Sequence, residues 1–80
     1  MTFNDVFKKF NEIFIDVLDD EEIVLKESST ANDIEEWDSL SHIQLIVNIE
    51  KEFGVNFTAL EMENYSNVGE MCRGVLGKLI

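Results

Sequence analysis

The stretch Asp38-Ser39-Leu40-Ser41-His42-Ile43-Gln44-Leu45-Ile46-Val47-Asn48-Ile49-Glu50-Lys51-Glu52-Phe53-Gly54 sets the architecture. Leu40, Ile43, Ile46, Val47, Ile49 and Phe53 recur at helical spacing. Asp38 stands where an N-cap belongs, able to accept from the unpaired amides of a first turn, and Gly54 supplies a left-handed stop. The segment therefore predicts a helix with both ends marked, and Glu50 and Glu52 fall on its solvent side.

Upstream, Phe3, Val6, Phe7, Phe10, Ile13, Phe14, Val17 and Leu18 form one face of another helix, with Thr2 as its N-cap and Asp5 near the positive end of its dipole. The acidic run Asp19-Asp20-Glu21-Glu22 ends it. From there to Asp38 periodicity fades into a long connection rich in turn formers. Ile23, Leu25 and Ile34 are expected to pin it to the core through a short helical turn. Its acids do not spell a calcium loop, because no glycine occurs before Gly54.

Downstream, Thr58 with Glu61 and Asn67 with Glu70 each pair a capping residue with a glutamate three positions later. The first start leaves room for a turn or two. The second opens a helix with Val68, Met71, Cys72, Val75, Leu76 and Leu79 inward, weakened by Gly69, Gly74 and Gly77. The expected fold is all-α, a compact four-helix bundle over residues 1–80 as a single domain, with a long loop after the first helix and a short third helix.

Bulk properties narrow the function. Eighty residues hold one small core, and 45% hydrophobic with 29% charged residues is the composition of a globular domain. One cysteine, Cys72, excludes an internal disulfide and a zinc cluster, and a packed thiol is expected. No apolar run approaches the roughly 20 residues that span a bilayer, and the N-terminus lacks the pattern of a secretory signal, so a cytoplasmic location is expected. Six Lys and Arg against 17 Asp and Glu give a net charge of −11, which repels nucleic acid and anionic membrane and favours partners with basic patches. Nothing in the pattern favours self-association, so a monomer is expected.

Ser39 is the residue most open to chemistry. At the first turn of its helix the hydroxyl faces solvent, although serine there is also ordinary helix-start chemistry. A hydrolytic serine needs a base and oxyanion donors. Only His42 offers the base, and an 80-residue bundle suggests no enclosing pocket. His42 reads instead as an exposed polar neighbour of Ser39. Trp37 either covers the junction of loop and helix or presents an aromatic anchor.

The Asp38-Ser39-Leu40 triplet, the apolar helix behind it and its Glu-x-Phe-Gly ending resemble an acyl carrier protein, and the likeness extends over essentially the whole chain. That family is a four-helix bundle whose second helix opens at Asp-Ser-Leu. The resemblance implies that Ser39 carries a 4′-phosphopantetheine arm, transferred from coenzyme A by a phosphopantetheinyl transferase, and that acyl intermediates ride on the arm as thioesters. On this reading the chain is no enzyme and binds no metal. It serves acyl-loading, condensing or acyl-transfer enzymes of fatty acid, polyketide or related specialised biosynthesis.

Partner recognition is assigned to Trp37, Asp38, Leu40, His42, Glu50 and Glu61. Glu35, Glu36, Glu52 and Glu63 complete an acidic rim. Ser41 and Gln44 stand where many fatty-acid carriers have acids, which makes the chain look more like aminoacyl or polyketide carriers. Alternatives are an aminoacyl or peptidyl carrier and a non-covalent acidic adaptor. Phe3, Phe7, Phe10, Phe14, Phe53 and Phe57 form a bulky core that is expected to restrict burial of a long acyl chain.

Overall fold

The computed structural model describes residues 2–79, apart from the side chain of Glu63, which thus lies outside the described residues of the acidic rim. Four helices follow in order: α1 (Phe3–Leu18), α2 (Ser39–Phe53), the short α3 (Ala59–Asn64) and α4 (Val68–Leu79), and no strand occurs among the described residues. The bundle measures 31 × 24 × 22 Å.

Local chemistry sets the helix ends. Thr2 and Asp5 form a reciprocal capping box at the start of α1, so Asp5 does more than favour the dipole: its carboxylate accepts from the Thr2 amide at 2.9 Å. Asp19 closes α1 in the left-handed region with φ 53°, a position more often given to glycine, and Gly54 closes α2 with φ 66°. Thr58 and Glu61 make the expected box at α3. At α4 the box is only half made. Asn67 Oδ1 accepts from the Glu70 amide, but the Glu70 carboxylate reaches past Asn67 to the Ser66 amide at 2.7 Å.

Helix α1 packs against both α2 and α4. Val6, Phe10, Phe14, Leu45, Ile49, Val68, Cys72 and Val75 are sealed from solvent. Each large side chain of this kind contributes about 1.5–3 kcal/mol through burial. The rings interlock: Phe10 meets Phe53 at 5.9 Å and Phe14 meets the Trp37 edge at 4.9 Å. Phe3, Phe7 and Phe57 are only half-buried, so three of the six phenylalanines cover the core rather than fill it. Burial pushes the Cys72 thiol up to about 12.

Two expectations about apolar faces are corrected. On α2 the buried set is Leu45, Ile46, Ile49 and Phe53, whereas Leu40, Ile43 and Val47 face outward at 69%, 62% and 41% exposure. The helix has two apolar faces, and spacing alone merges them. Leu79, expected inward, is exposed at 39%, at the fraying last residue of α4.

The connection between α1 and α2 has no helix of its own, contrary to expectation. It runs through four turns, closed by Ile23 N–H to Asp20 O, Ser29 N–H to Lys26 O, Asp33 N–H to Thr30 O, and Trp37 N–H to Ile34 O. Ile23 and Leu25 are buried and Ile34 half-buried, as the pattern predicts. Its backbone groups are satisfied elsewhere. Asn11 Oδ1 on α1 accepts from the Leu25 amide at 2.8 Å, while the carbonyls of Ser29 and Glu27 accept from the Val68 and Gly69 amides at 2.9 and 2.8 Å. The loop thereby occupies the unpaired first-turn donors of α4. A Cβ on Gly69 would stand 3.0 Å from the Glu27 carbonyl oxygen, so glycine permits this approach. The Arg73 guanidinium adds a 2.7 Å pair to Glu27.

Candidate functional site

The ties of loop to bundle fix the point where α2 begins. Asp38 is its N-cap, with an extended backbone, and its carboxylate accepts from the Ser41 amide at 2.9 Å. That bond holds the Asp38 carboxyl below the usual aspartate range. Ser41 completes a reciprocal box: its hydroxyl oxygen accepts from the Asp38 amide at 2.8 Å and its O–H donates to the Glu36 carbonyl at 2.9 Å. The serine that departs from the acidic pattern of many fatty-acid carriers is therefore what locks the helix start.

Ser39 occupies the first position of α2, exposed, and its hydroxyl makes no hydrogen bond to another described residue. It opens onto a groove of about 490 Å³ between the loop, the start of α2 and the α3–α4 segment. Trp37 and His42 form one wall, with Met62, Tyr65 and Met71 opposite. The dimensions fall in the range of small-molecule sites. The residues suit a phosphopantetheine: a free hydroxyl for the phosphodiester, helix-start amides beside it, and a groove of mixed polarity within reach of a tether.

Trp37 is buried at 7% exposure, which settles it as packing at the loop–helix junction and not as a presented anchor. Its indole N–H donates to His42 Nδ1 at 3.0 Å, and the two rings stack at 5.9 Å. His42 is accordingly half-buried rather than exposed, and burial lowers its pKa. No hydrogen bond joins Ser39 to His42, so the geometry of an activated serine is not formed. Leu40 projects into solvent.

The acids of the rim are largely engaged within the chain. Glu50 is half-buried and accepts from the Phe57 amide at 2.9 Å. Glu61 pairs with Lys78 at 2.6 Å, which holds its carboxyl low, and the Thr58 amide adds to the effect. Glu52 pairs with Lys9 at 3.3 Å. The neighbouring Asp20 carboxylate raises the pKa of Glu36, while Glu36 and the Glu22 amide lower that of Asp20. Between Ser39 and Ile49 no charged side chain occurs, with His42 counted as neutral, so the outer face of α2 is an uncharged stripe of Leu40, Ile43 and Val47 in a chain of charge −11. The run without Asp, Glu, Lys or Arg is visible in the sequence and is the signal that reading by helical spacing passes over.

Among the described residues no group of three or more His, Cys, Asp or Glu is placed to hold a metal ion, and no helix is long and apolar enough to cross a membrane.

Residues 8–75 match the family described as a phosphopantetheine attachment site. No curated protein is a significant match to the chain. Among solved structures, the holo acyl carrier protein from Geobacter metallireducens, determined by solution NMR, is 40% identical, with a TM-score of 0.88 over 92% of this chain and 85% of that one. The order of helices, the solvent-facing serine at the start of α2 and these two likenesses agree: the chain belongs to the phosphopantetheine attachment family and is an acyl carrier, a non-catalytic protein whose cofactor is a covalently bound 4′-phosphopantetheine.

Proposed function

We propose that Ser39 is the attachment point of the arm, and that the protein delivers acyl intermediates among the enzymes of a specialised biosynthetic pathway in the cytoplasm. The observation that carries this reading is the exposed, unengaged Ser39 hydroxyl at the first turn of α2, opening onto the groove. When bound, the arm supplies a thiol that holds cargo as a thioester. The chain contributes a rigid mount: Asp38 and Ser41 fix the helix start, and Trp37 anchors the incoming loop to Phe14.

The partners on this reading are a phosphopantetheinyl transferase and acyl-loading, condensing or acyl-transfer enzymes. Asp38, Leu40 and His42 flank Ser39 at the start of α2, with Trp37 beneath, and Glu50 and Glu61 add acidic contacts from the last turn of α2 and from α3. The net charge of −11 favours basic patches on those enzymes and speeds encounter. The uncharged stripe of Leu40, Ile43 and Val47 adds apolar contact once they meet. Neutral Ser41 and Gln44 favour a polyketide, aminoacyl or related carrier over a general fatty-acid carrier. The protein works as a monomer.

The test is incubation with coenzyme A and a broad-specificity phosphopantetheinyl transferase, read by intact mass. Wild type gains one arm and Ser39→Ala gains none. Equal labelling of the two, or none in wild type, refutes the assignment.

A further inference from the structure

We infer that His42 positions the arm: Trp37 holds its imidazole as the Nε2–H tautomer, and this N–H donates to a phosphodiester oxygen on Ser39. The inference rests on the reading of Ser39 as the attachment point.

The indole N–H of Trp37 is a donor only, so the nitrogen it meets at 3.0 Å, His42 Nδ1, must be the unprotonated acceptor. The proton of the neutral ring then sits on Nε2. Burial, which lowers the pKa of His42, works to the same end, because a protonated ring would lose the Trp37 bond.

Nε2 has no hydrogen-bond partner among the described residues. Among the described residues no buried side-chain nitrogen or oxygen lacks a partner, so Nε2 reaches solvent, and the ring lines the same groove as Ser39. Ser39 and His42 are three residues apart on α2, neighbours on the helix surface at about 5–6 Å between Cβ atoms. A phosphodiester extends beyond the serine oxygen and closes that gap.

Apart from Thr30, the groove's other hydroxyl and amide side-chain donors, those of Tyr65, Ser66 and Asn67, belong to the segment after α3 and not to α2. No Lys or Arg lines it. The Thr30 hydroxyl is directed to Asp33, and Asp38 takes the Ser41 amide. The His42 ring, by contrast, is already fixed, stacked on Trp37, which is itself wedged edge-on against Phe14. A donor held this way loses little freedom when it binds.

The experiment uses full-length protein loaded from coenzyme A, with intact mass to verify loading and circular dichroism to verify the fold. Imidazole 15N spectra of the unloaded protein should show Nε2 as the protonated nitrogen. On loading, the Nε2–H proton should move downfield, and the 31P resonance should differ from that of the same loaded protein unfolded in urea, where the diester has no fixed contact with His42. His42→Phe should abolish the 31P difference and His42→Gln, which restores an amide donor, should recover part of it. Trp37→Phe keeps His42 but releases the tautomer, so its 31P position should lie between wild type and His42→Phe. A 31P position identical in loaded wild type and loaded His42→Phe overturns the inference while leaving Ser39 as the attachment point. A wild type that takes no arm refutes the Ser39 reading, and this one with it.

Discussion

The packing of Tyr65 on Gly74 gives a quantitative test of how α4 meets the wall of the groove. A Cβ at Gly74 would lie 2.6 Å from Tyr65 Cζ and 3.0 Å from Cε1, with the hydroxyl oxygen nearer still. The ring would have to retreat by about 1 Å to regain ordinary carbon contact. Its edge-on packing against Phe57 at 5.9 Å opposes that movement. Forcing atoms into a packed site costs about 1–3 kcal/mol, whereas replacing a helical glycine by alanine returns about 1 kcal/mol. Gly74→Ala should therefore destabilise by about 1 kcal/mol net, a fall of roughly 4–8 °C in Tm for a domain of this size. Tyr65→Leu removes the obstructing ring end, and in that background the same substitution should stabilise by up to about 1 kcal/mol. The coupling of roughly 2 kcal/mol is read from a double-mutant cycle in urea. Gly77 is the control: a Cβ there meets nothing within 4 Å, so Gly77→Ala should stabilise in either background. If Gly74→Ala stabilises wild type as much as Gly77→Ala does, the close packing of Tyr65 on α4 is wrong.

Three further outcomes are expected. The buried Cys72 thiol, held near 12, should not react with an aromatic disulfide reagent at neutral pH in folded protein, so the unloaded form titrates no thiol and the loaded form titrates one. Because the folded Asp38 carboxyl lies below its unfolded value, its cap contributes stability above the ordinary aspartate range of about 3.9 and loses it as pH falls through the folded value. The Ser41 amide resonance should titrate below that range, and Asp38→Asn should abolish this titration while retaining most of the cap. Ile43→Ser, on the exposed stripe of α2, should change stability by less than about 0.5 kcal/mol yet slow arm transfer, as measured by unfolding and by the time course of intact mass.

How far the chain could be read in advance follows from where each signal resides. Helix ends were legible because capping is local: Thr2, Asp38, Thr58 and Gly54 act within one turn of their own backbone. The exposure of Ser39 was legible for the same reason, since it follows from a place just after a cap. Long-range contacts were not. The bond from Trp37 to His42 joins loop to helix through side chains and depends on Phe14, distant in sequence, to seat the indole. The loop gave no sign that its carbonyls would cap α4, because acceptors of that kind belong to every residue. The rim acids are solvent-compatible by type, and only the fold reveals that Lys78, Lys9 and the Phe57 amide already hold three of them. On α2, similar spacing on two sides of one cylinder concealed which side met α1.

The sealed position of Cys72 bears on the integrity of delivery. A carrier that displayed a reactive sulfur of its own would compete with the enzymes it serves, taking freight from the tether by thioester exchange and stranding it on the scaffold. With that sulfur enclosed between α1 and α4 and reluctant to ionise, the load has no alternative berth on the protein and leaves only through a visiting enzyme or water.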